Sequence, residues 1–350
     1  MNDNPSNSLS SDVPHFCSPC CRSSLTKKDD ELSCDKCGSI YTINDGLYKF
    51  IVEESDHGEL SNTEMKSVLD VARDKGWKVA IEDLNIDRID RLIRDPKRQR
   101  SIELVENVGG KVLDFGCGYG GVTALLADMF DEVVSLDGSE GRVSFLNIRR
   151  QQDNMDNVTT VCHMDVLNLP FPDNHFDAIV LVGVLEYLPM NIADQSVQEA
   201  HVMCLKSFMR ILRPGGTILV NSKNRFGWHY LLGGKDNFGI PFGPALPIWL
   251  ADLIVRIQNK GRYRIINYSY GGYRRMFERA GFKNLQLHGP YPGYQSPDYI
   301  FDFSNDVATQ LKNGLAAKLS RSKYLVFKIL ALVGLFRRVL PNLTVVGTKP

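Results

Sequence analysis

Two groups of residues in this chain have types and spacings that could do chemistry. The first is Asp114 followed by Gly116, Gly118, Gly120 and Gly121, in the run Gly110-Lys-Val-Leu-Asp-Phe-Gly-Cys-Gly-Tyr-Gly-Gly121. Residues 112–115 read as a short buried strand, the glycines as a tight turn, and residues 122–130 as the start of an amphipathic helix. Glycines so placed let the backbone approach a ligand closely, with a helix N-terminus facing it. The spacing satisfies two patterns at once, G-x-G-x-x-G over 116–121 and D-x-G-x-G-x-G over 114–120. The loop therefore marks a binding site without naming what is bound.

The second group is Cys17-Ser-Pro-Cys20 and Cys34-Asp-Lys-Cys37, two C-x-x-C pairs with thirteen residues between them. Two residues between thiolates let both sulfurs reach one ion at about 2.3 Å, and two such pairs complete a tetrahedron. Cys17, Cys20, Cys34 and Cys37 are the expected ligands of a structural zinc, with a hairpin turning at 28–30 and further strands at 40–43 and 47–52. Disulfides are the alternative, and a cytosolic setting argues against them. Cys21 is a rival ligand at a less usual spacing. So small a segment has too little core to fold without a staple. Cys117, Cys162 and Cys204 are scattered and read as small buried hydrophobes.

Composition sets the frame for both groups. The 350 residues carry 41 Lys+Arg and 41 Asp+Glu. A neutral chain argues against nucleic acid as the main partner, which would call for a basic excess. Residues 1–13 are polar, with no secretory leader, and read as a disordered tail on a cytoplasmic protein. Residues 14–54 form the ribbon and 55–107 a helical linker or lid. In that linker Trp77 reads as a packing anchor and Pro96 opens a helix toward 107.

From Lys111 strands and helices alternate, which predicts an α/β fold with a doubly wound parallel sheet over 108–350. Strands are expected at 112–115, 133–136, 158–162, 177–182 and 217–220, with Arg213-Pro-Gly-Gly216 closing the helix before the last. Ligands of such sheets bind beyond the carboxyl ends of the strands, where Asp114, Asp137 and Asp165 gather. Asp137 can accept two ribose hydroxyls, and Asp165 an adenine amino group.

Four blocks then occur in order: Leu113-Asp-Phe-Gly-Cys-Gly118; Asp165 with Leu169-Pro-Phe171 and Phe176-Asp177; Gly183-Val-Leu-Glu-Tyr187; and Leu212-Arg-Pro-Gly-Gly216. In these the chain resembles the class I S-adenosylmethionine (SAM)-dependent methyltransferases, in the small-molecule branch called type 11. The resemblance implies a seven-stranded Rossmann-like sheet and SAM as methyl donor. Asp114, Gly116, Gly118 and Gly120 would hold the methionine end, Asp137 the ribose, and Asp165 with the Val166 backbone the adenine. Gly183 to Glu186 would floor the sulfonium. The cysteine segment, with Tyr41-Thr-Ile-Asn-Asp-Gly46, is similar to zinc ribbons found ahead of some methyltransferases.

Residues 224–272 fall where this fold carries acceptor-side insertions. Asn224-Arg-Phe-Gly-Trp-His-Tyr-Leu-Leu-Gly233, Tyr268-Ser-Tyr-Gly-Gly-Tyr-Arg-Arg275 and Pro290-Tyr-Pro-Gly-Tyr294 resemble a bacterial subgroup tied to cell-surface polysaccharide synthesis. Lys223 replaces the acidic residue usual there. The resemblance implies a small-molecule or glycan-precursor acceptor, methylated at oxygen, with His229 and Tyr230 as candidate bases. An RNA base methyltransferase gripping RNA with its ribbon is an alternative, weakened by Asp29, Asp30 and Glu31 beside Lys27 and Lys28. A non-catalytic scaffold is another. Residues 305–340 read as a basic, apolar helical insertion before a final antiparallel strand at 342–350. Its apolar run, 329–336, falls short of the roughly 20 residues needed to span a bilayer. Residues 318–340 either pack on the domain or make a peripheral membrane contact.

Overall fold

The strands at the centre of the molecule are near-continuous apolar runs, as strands covered on both faces must be. They are β5 (Lys111–Phe115), β6 (Glu132–Asp137), β7 (Val158–Cys162), β8 (Phe176–Val182) and β9 (Leu212–Lys223) in a computed structural model describing residues 15–50, 60–84, 87–105, 108–192 and 194–350. Val112, Leu113 and the run Ala178–Leu181 are wholly buried. The five strands pair in parallel in the order β7-β6-β5-β8-β9. β12 (Asn342–Thr348) then inserts antiparallel between β9 and β10 (Lys283–Tyr291). These seven strands are the expected α/β, doubly wound, Rossmann-like methyltransferase sheet. β9 begins earlier than its sequence predicts, because Leu212 already pairs with Phe176. Arg213–Gly216 thus lies inside the strand.

The sheet does not stop at seven. β1 (Thr26–Lys28), β2 (Glu31–Ser33), β3 (Ile40–Asn44) and β4 (Leu47–Lys49) form an antiparallel meander, and β4 pairs in parallel with β7 through Leu47–Thr160, Tyr48–Val161 and Lys49–Cys162. At the other edge β11 (Tyr299–Asp302) joins β10. Phe16 packs 4.9 Å from Tyr48, 5.0 Å from Phe50 and 5.8 Å from Phe171 of the main domain. Leu32 and Ile43 join the same buried cluster as Phe171 and Val161. The ribbon therefore borrows its core from the main sheet, which corrects the expectation that a metal must stand in for one.

Between ribbon and sheet, helix Asn62–Lys75 starts at a capping box made by Ser61 and Glu64. Trp77 is buried against Phe145, donates from Nε1 to Asp153 Oδ1 at 2.9 Å and carries the Arg149 guanidinium 4.6 Å over its ring. It is an anchor. Pro96–Arg98 makes one 3-10 turn capped by Asp95, and helix Gln99–Ile102 follows. The acceptor-side insertion has its own small core of Ile240, Ala251, Val255, Tyr263 and Ile266. Arg264 ties it to the main domain at the carbonyls of Pro189 and Ile192. Helix Arg321–Leu332 packs through Phe327 against Trp228, Tyr291 and Phe336 while Leu325, Val326, Ile329 and Leu332 stay exposed. The expected tail at 1–13 and the strand end beyond residue 50 lie outside the described residues.

Phe16→Ala tests the shared core. It should lower stability by about 3 kcal/mol, as a fully packed aromatic does, and shift the whole melting transition in calorimetry. A loss below about 0.5 kcal/mol, or a separate ribbon transition with the main one unmoved, would mean that the two parts do not share a core.

Candidate active site

Where β5 ends, the chain must turn across the carboxyl edge of the sheet. Gly116 and Cys117 N–H both donate to Leu136 O, at 2.7 and 3.1 Å, and Gly118 N–H donates to Asp137 Oδ2 at 2.9 Å. Ser139 N–H donates to the other Asp137 oxygen at 2.8 Å. The loop is thereby stitched to the end of β6. Gly118 has φ +54° with open space where a Cβ would stand, so its backbone is bare toward the cavity. Gly183, φ +71°, has Tyr294 Oη only 2.5 Å from such a Cβ. Glycine is what lets that tyrosine close down.

These turns enclose a cavity of about 890 Å³. Gly116, Gly118, Asp137, Val166, Gly183 and Glu186 line it. Its other end is walled by Tyr187, Leu188, Met190, Lys223, Ile265 and Tyr294. Among the charged side chains of the lining, Arg98 and Glu186 are buried with polar atoms that make no hydrogen bond. Arg98 is buried, with no hydrogen-bond partner for Nε or Nη1 among the described residues. Glu186 is buried, with Oε2 accepting from Ser222 Oγ at 3.1 Å. Its Oε1 has no hydrogen bond and lies 3.8 Å from Lys223 Nζ. Tyr273, behind, donates to Ser222 Oγ at 2.8 Å and fixes that carboxylate from beneath. Desolvation of an unpaired carboxylate oxygen or guanidinium is costly, and such groups cluster where a ligand completes them.

Asp114 lies one layer deeper. It is buried, accepts from Thr123 Oγ1 at 2.7 Å and does not line the cavity. Burial pushes its carboxyl up to about 7, against the Thr123 hydroxyl and the Arg98 charge, which act the other way.

Residues 113–220 match the family model of a methyltransferase domain. The chain is 25% identical over 236 residues to the demethylmenaquinone methyltransferase of Bacillus licheniformis, covering 66% of this chain and 86% of that protein. It is 33% identical over 117 residues to a probable S-adenosylmethionine-dependent methyltransferase of Mycolicibacterium smegmatis, covering 33% of this chain and 39% of that one. Among solved structures, phosphoethanolamine N-methyltransferase 2 of Haemonchus contortus with SAM aligns at 16% identity and TM-score 0.46, covering 81% of this chain and 60% of that chain.

The chain carries a SAM-dependent methyltransferase domain. It is an enzyme, so the scaffold alternative falls away.

Not all residues singled out in the sequence meet in the methyltransferase cavity. Gly120 does not line it, and a Cβ there would stand 2.2 Å from Leu146 Cδ1, so close packing of loop on helix holds that glycine. Asp165 caps a 3-10 turn, accepting from Leu167 N–H at 2.9 Å and Asn168 Nδ2 at 2.7 Å; its neighbours Met164 and Val166 reach the cavity instead. His229 and Tyr230 are outside the lining, contrary to their selection as bases. They sit on the short turn Trp228–Leu231, which rotates Tyr230 into the protein; the His229 ring lies against it, tilted by 42° with centroids 3.8 Å apart. Of the expected zinc ligands, Cys34 and Cys37 come together, but with Cys21; Cys17 and Cys20 fall outside the group of thiols in mutual reach. Arg98, Lys223 and Tyr294 are among the cavity residues to which sequence reasoning gave no role. The Lys223 substitution was the one visible signal among them.

The buried Asp114 carries a pH prediction. A carboxyl that holds its proton more tightly folded than unfolded stabilises the fold below the unfolded value of 3.8, and that contribution fades as pH rises toward about 7. Between those values the ligand-free methyltransferase should lose about 1 kcal/mol per pH unit from this residue. Denaturant titrations of wild type and Asp114→Asn across that range measure it. Parallel stability curves for the two would show that Asp114 is ionised throughout.

Proposed function

We propose that the cavity holds SAM at its glycine-loop end and a hydroxylated small molecule at the end walled by Glu186, Lys223 and Tyr294. Glu186 Oε1 carries this reading: it is a buried acceptor with no hydrogen bond, only the longer ion pair to Lys223, on a cavity-lining carboxylate whose other oxygen is held by Ser222 and, through it, Tyr273. The bare Gly118 backbone and the unpaired Arg98 nitrogens fit a zwitterionic methionine tail, Arg98 facing its carboxylate. Asp137 takes the ribose hydroxyls, and Val166 with its neighbour Asp165 the adenine edge. Gly116 and Gly183 keep the walls clear, and Asp114 sets the charge beneath. SAM bound there supplies an electrophilic methyl group on a sulfonium.

Glu186 then receives the proton of the acceptor hydroxyl. Lys223 Nζ, also held by Asn237 Oδ1 at 3.0 Å, stabilises the oxygen anion left behind. Tyr294 closes the chamber over Gly183 and excludes water. The small-molecule class accords with the named activity of the Bacillus relative. A glycan precursor is the finer assignment we favour, from the blocks at 224–233, 268–275 and 290–294. We do not extend it to RNA, since exposed Lys27 and Lys28 are met at once by exposed Asp29, Asp30 and Glu31.

A cytoplasmic enzyme with a peripheral membrane contact through 318–340 completes the reading. No helix among the described residues is long and apolar enough to cross a membrane. Leu325, Val326, Ile329 and Leu332 share one exposed arc of roughly 120°. The exposed Lys323 and Lys328 flank it, and no acidic residue follows Asp306, against eight Lys and Arg. An apolar arc with flanking cations suits an anionic lipid surface.

Glu186→Gln should lower kcat by about 10² or more while SAM affinity in calorimetry changes less than about threefold. An undiminished kcat removes Glu186 from the chemistry, and no SAM binding by wild type removes the whole assignment. Wild type should also co-sediment with phosphatidylglycerol vesicles at low salt and not with phosphatidylcholine, and Ile329→Asp with Leu332→Asp should abolish it. Equal sedimentation of that double variant, or a wild-type dimer in place of vesicle binding, overturns the membrane contact.

A further inference from the structure

We infer that the cysteine cluster is a zinc site of three thiolates, Cys21, Cys34 and Cys37, with Ser18 at its fourth corner. The inference is independent of the methyl-transfer reading. It rests on the register of the two turns that carry the cysteines.

Backbone hydrogen bonds define those turns. In the second, Cys34 N–H donates to Ser39 O at 3.0 Å and Gly38 N–H donates to Cys34 O at 2.9 Å, with Gly38 at φ +71°. In the first, Ser18 N–H donates to Ser23 O at 2.8 Å and Arg22 N–H donates to Ser18 O at 2.8 Å, with Arg22 at φ +59°. The same figure is drawn twice, five residues apart at its ends in both. Ser18 therefore corresponds to Cys34, Cys21 to Cys37 and Arg22 to Gly38. The true first knuckle is Ser18-Pro-Cys-Cys21, one residue on from the C-x-x-C spelled by Cys17 and Cys20.

Side chains obey that register. The Sγ atoms of Cys21, Cys34 and Cys37 all lie within 4.8 Å of one another, with Cys21 and Cys34 3.4 Å apart. Three sulfurs at tetrahedral corners around zinc would stand roughly 3.8 Å apart, so the group needs little rearrangement to close on the ion. Ser18 is wholly buried, and its Oγ lies 3.3 Å from Cys37 Sγ and 3.1 Å from Tyr41 Oη. Cys37 Sγ also donates to Ser39 Oγ at 3.3 Å, a neighbour able to brace the ligand once it is a thiolate. Cys17 cannot join. It pairs as a bridge with Ser24, its N–H donates to Pro170 O at 3.0 Å, and its thiol is buried near Arg210 and Asp173 of the main domain. Neighbours on an extended strand face opposite ways, so a strand that turns Ser18 inward turns Cys17 out. Cys20 is exposed in the middle of the turn; its thiol neighbours Cys37 but does not join the three that lie in mutual reach.

A hydroxyl is a poorer zinc ligand than a thiolate. The site should therefore hold zinc less tightly than a four-thiolate ribbon and exchange it more readily. Removing the ion should leave the ribbon docked, because Phe16, Leu32 and Ile43 stay buried in the shared core.

The test uses the full chain, loaded with zinc or with cobalt(II) as a spectroscopic stand-in. Wild type should bind one zinc, Cys17→Ala and Cys20→Ser should keep it, and Cys21→Ser and Cys34→Ser should lose it with the fold intact by calorimetry. Ser18→Cys should tighten zinc at least tenfold and raise the sulfur-to-cobalt absorption by about one third, the ratio of four thiolates to three. Loss of zinc in Cys20→Ser, or retention in Cys21→Ser, overturns the ligand set. So does a wild type that gives no thiolate–cobalt absorption. A Ser18→Cys chain with unchanged affinity and spectrum overturns the corner.

Discussion

The cavity depends on one constraint, the stitching of the glycine loop to the end of β6. Gly116 and Cys117 share the Leu136 carbonyl, and Gly118 reaches the Asp137 carboxylate. Three consecutive amides are thereby spent on one neighbouring strand. The loop cannot wander, and the helix after it starts in a fixed direction. Everything that faces the cofactor end inherits its position from this seam. Its cost is a carboxylate beneath it, Asp114, kept from water and braced by Thr123 and the Arg98 charge.

A second dependency runs sideways. β4 pairs with β7, Phe50 N–H donates to Cys162 O at 3.0 Å, and the Phe50 ring meets His163 edge-on at 6.2 Å. His163, Met164 and Val166 line the cavity just beyond. The ribbon thus borders the segment assigned to adenine.

The central sheet was legible because its signals are local. Apolar runs, glycine turns and strand-end aspartates sit within a few residues of one another, and their order along the chain carries the topology. What was hidden depends on register or on distant contacts. The C-x-x-C spelling matched at Cys17 and Cys20, yet strand alternation selects Ser18 and Cys21, and a pattern of letters does not show which way a side chain faces. Asp165 reads as an adenine ligand, whereas in the structure its carboxylate caps a 3-10 turn through local hydrogen bonds. Arg98 carries no motif; it reaches the cavity only because the turn after Asp95 lies against the sheet edge. His229 and Tyr230 stand close in sequence to Lys223, but the turn after β9 moves them behind it.

The continuous sheet also decides which strands are left with unpaired backbone. With β7 covered by β4, the outer strand on that side among the described residues is β1, three residues long and exposed throughout, with Lys27 and Lys28 on it. A short, lysine-bearing border strand is a poor template for another chain, because adding a strand there would bring its cations against the newcomer and gain few hydrogen bonds. The charged hairpin that looked like a weak grip for RNA thus has a plainer use. It ends the sheet, and keeps a twelve-stranded surface from growing into its neighbours.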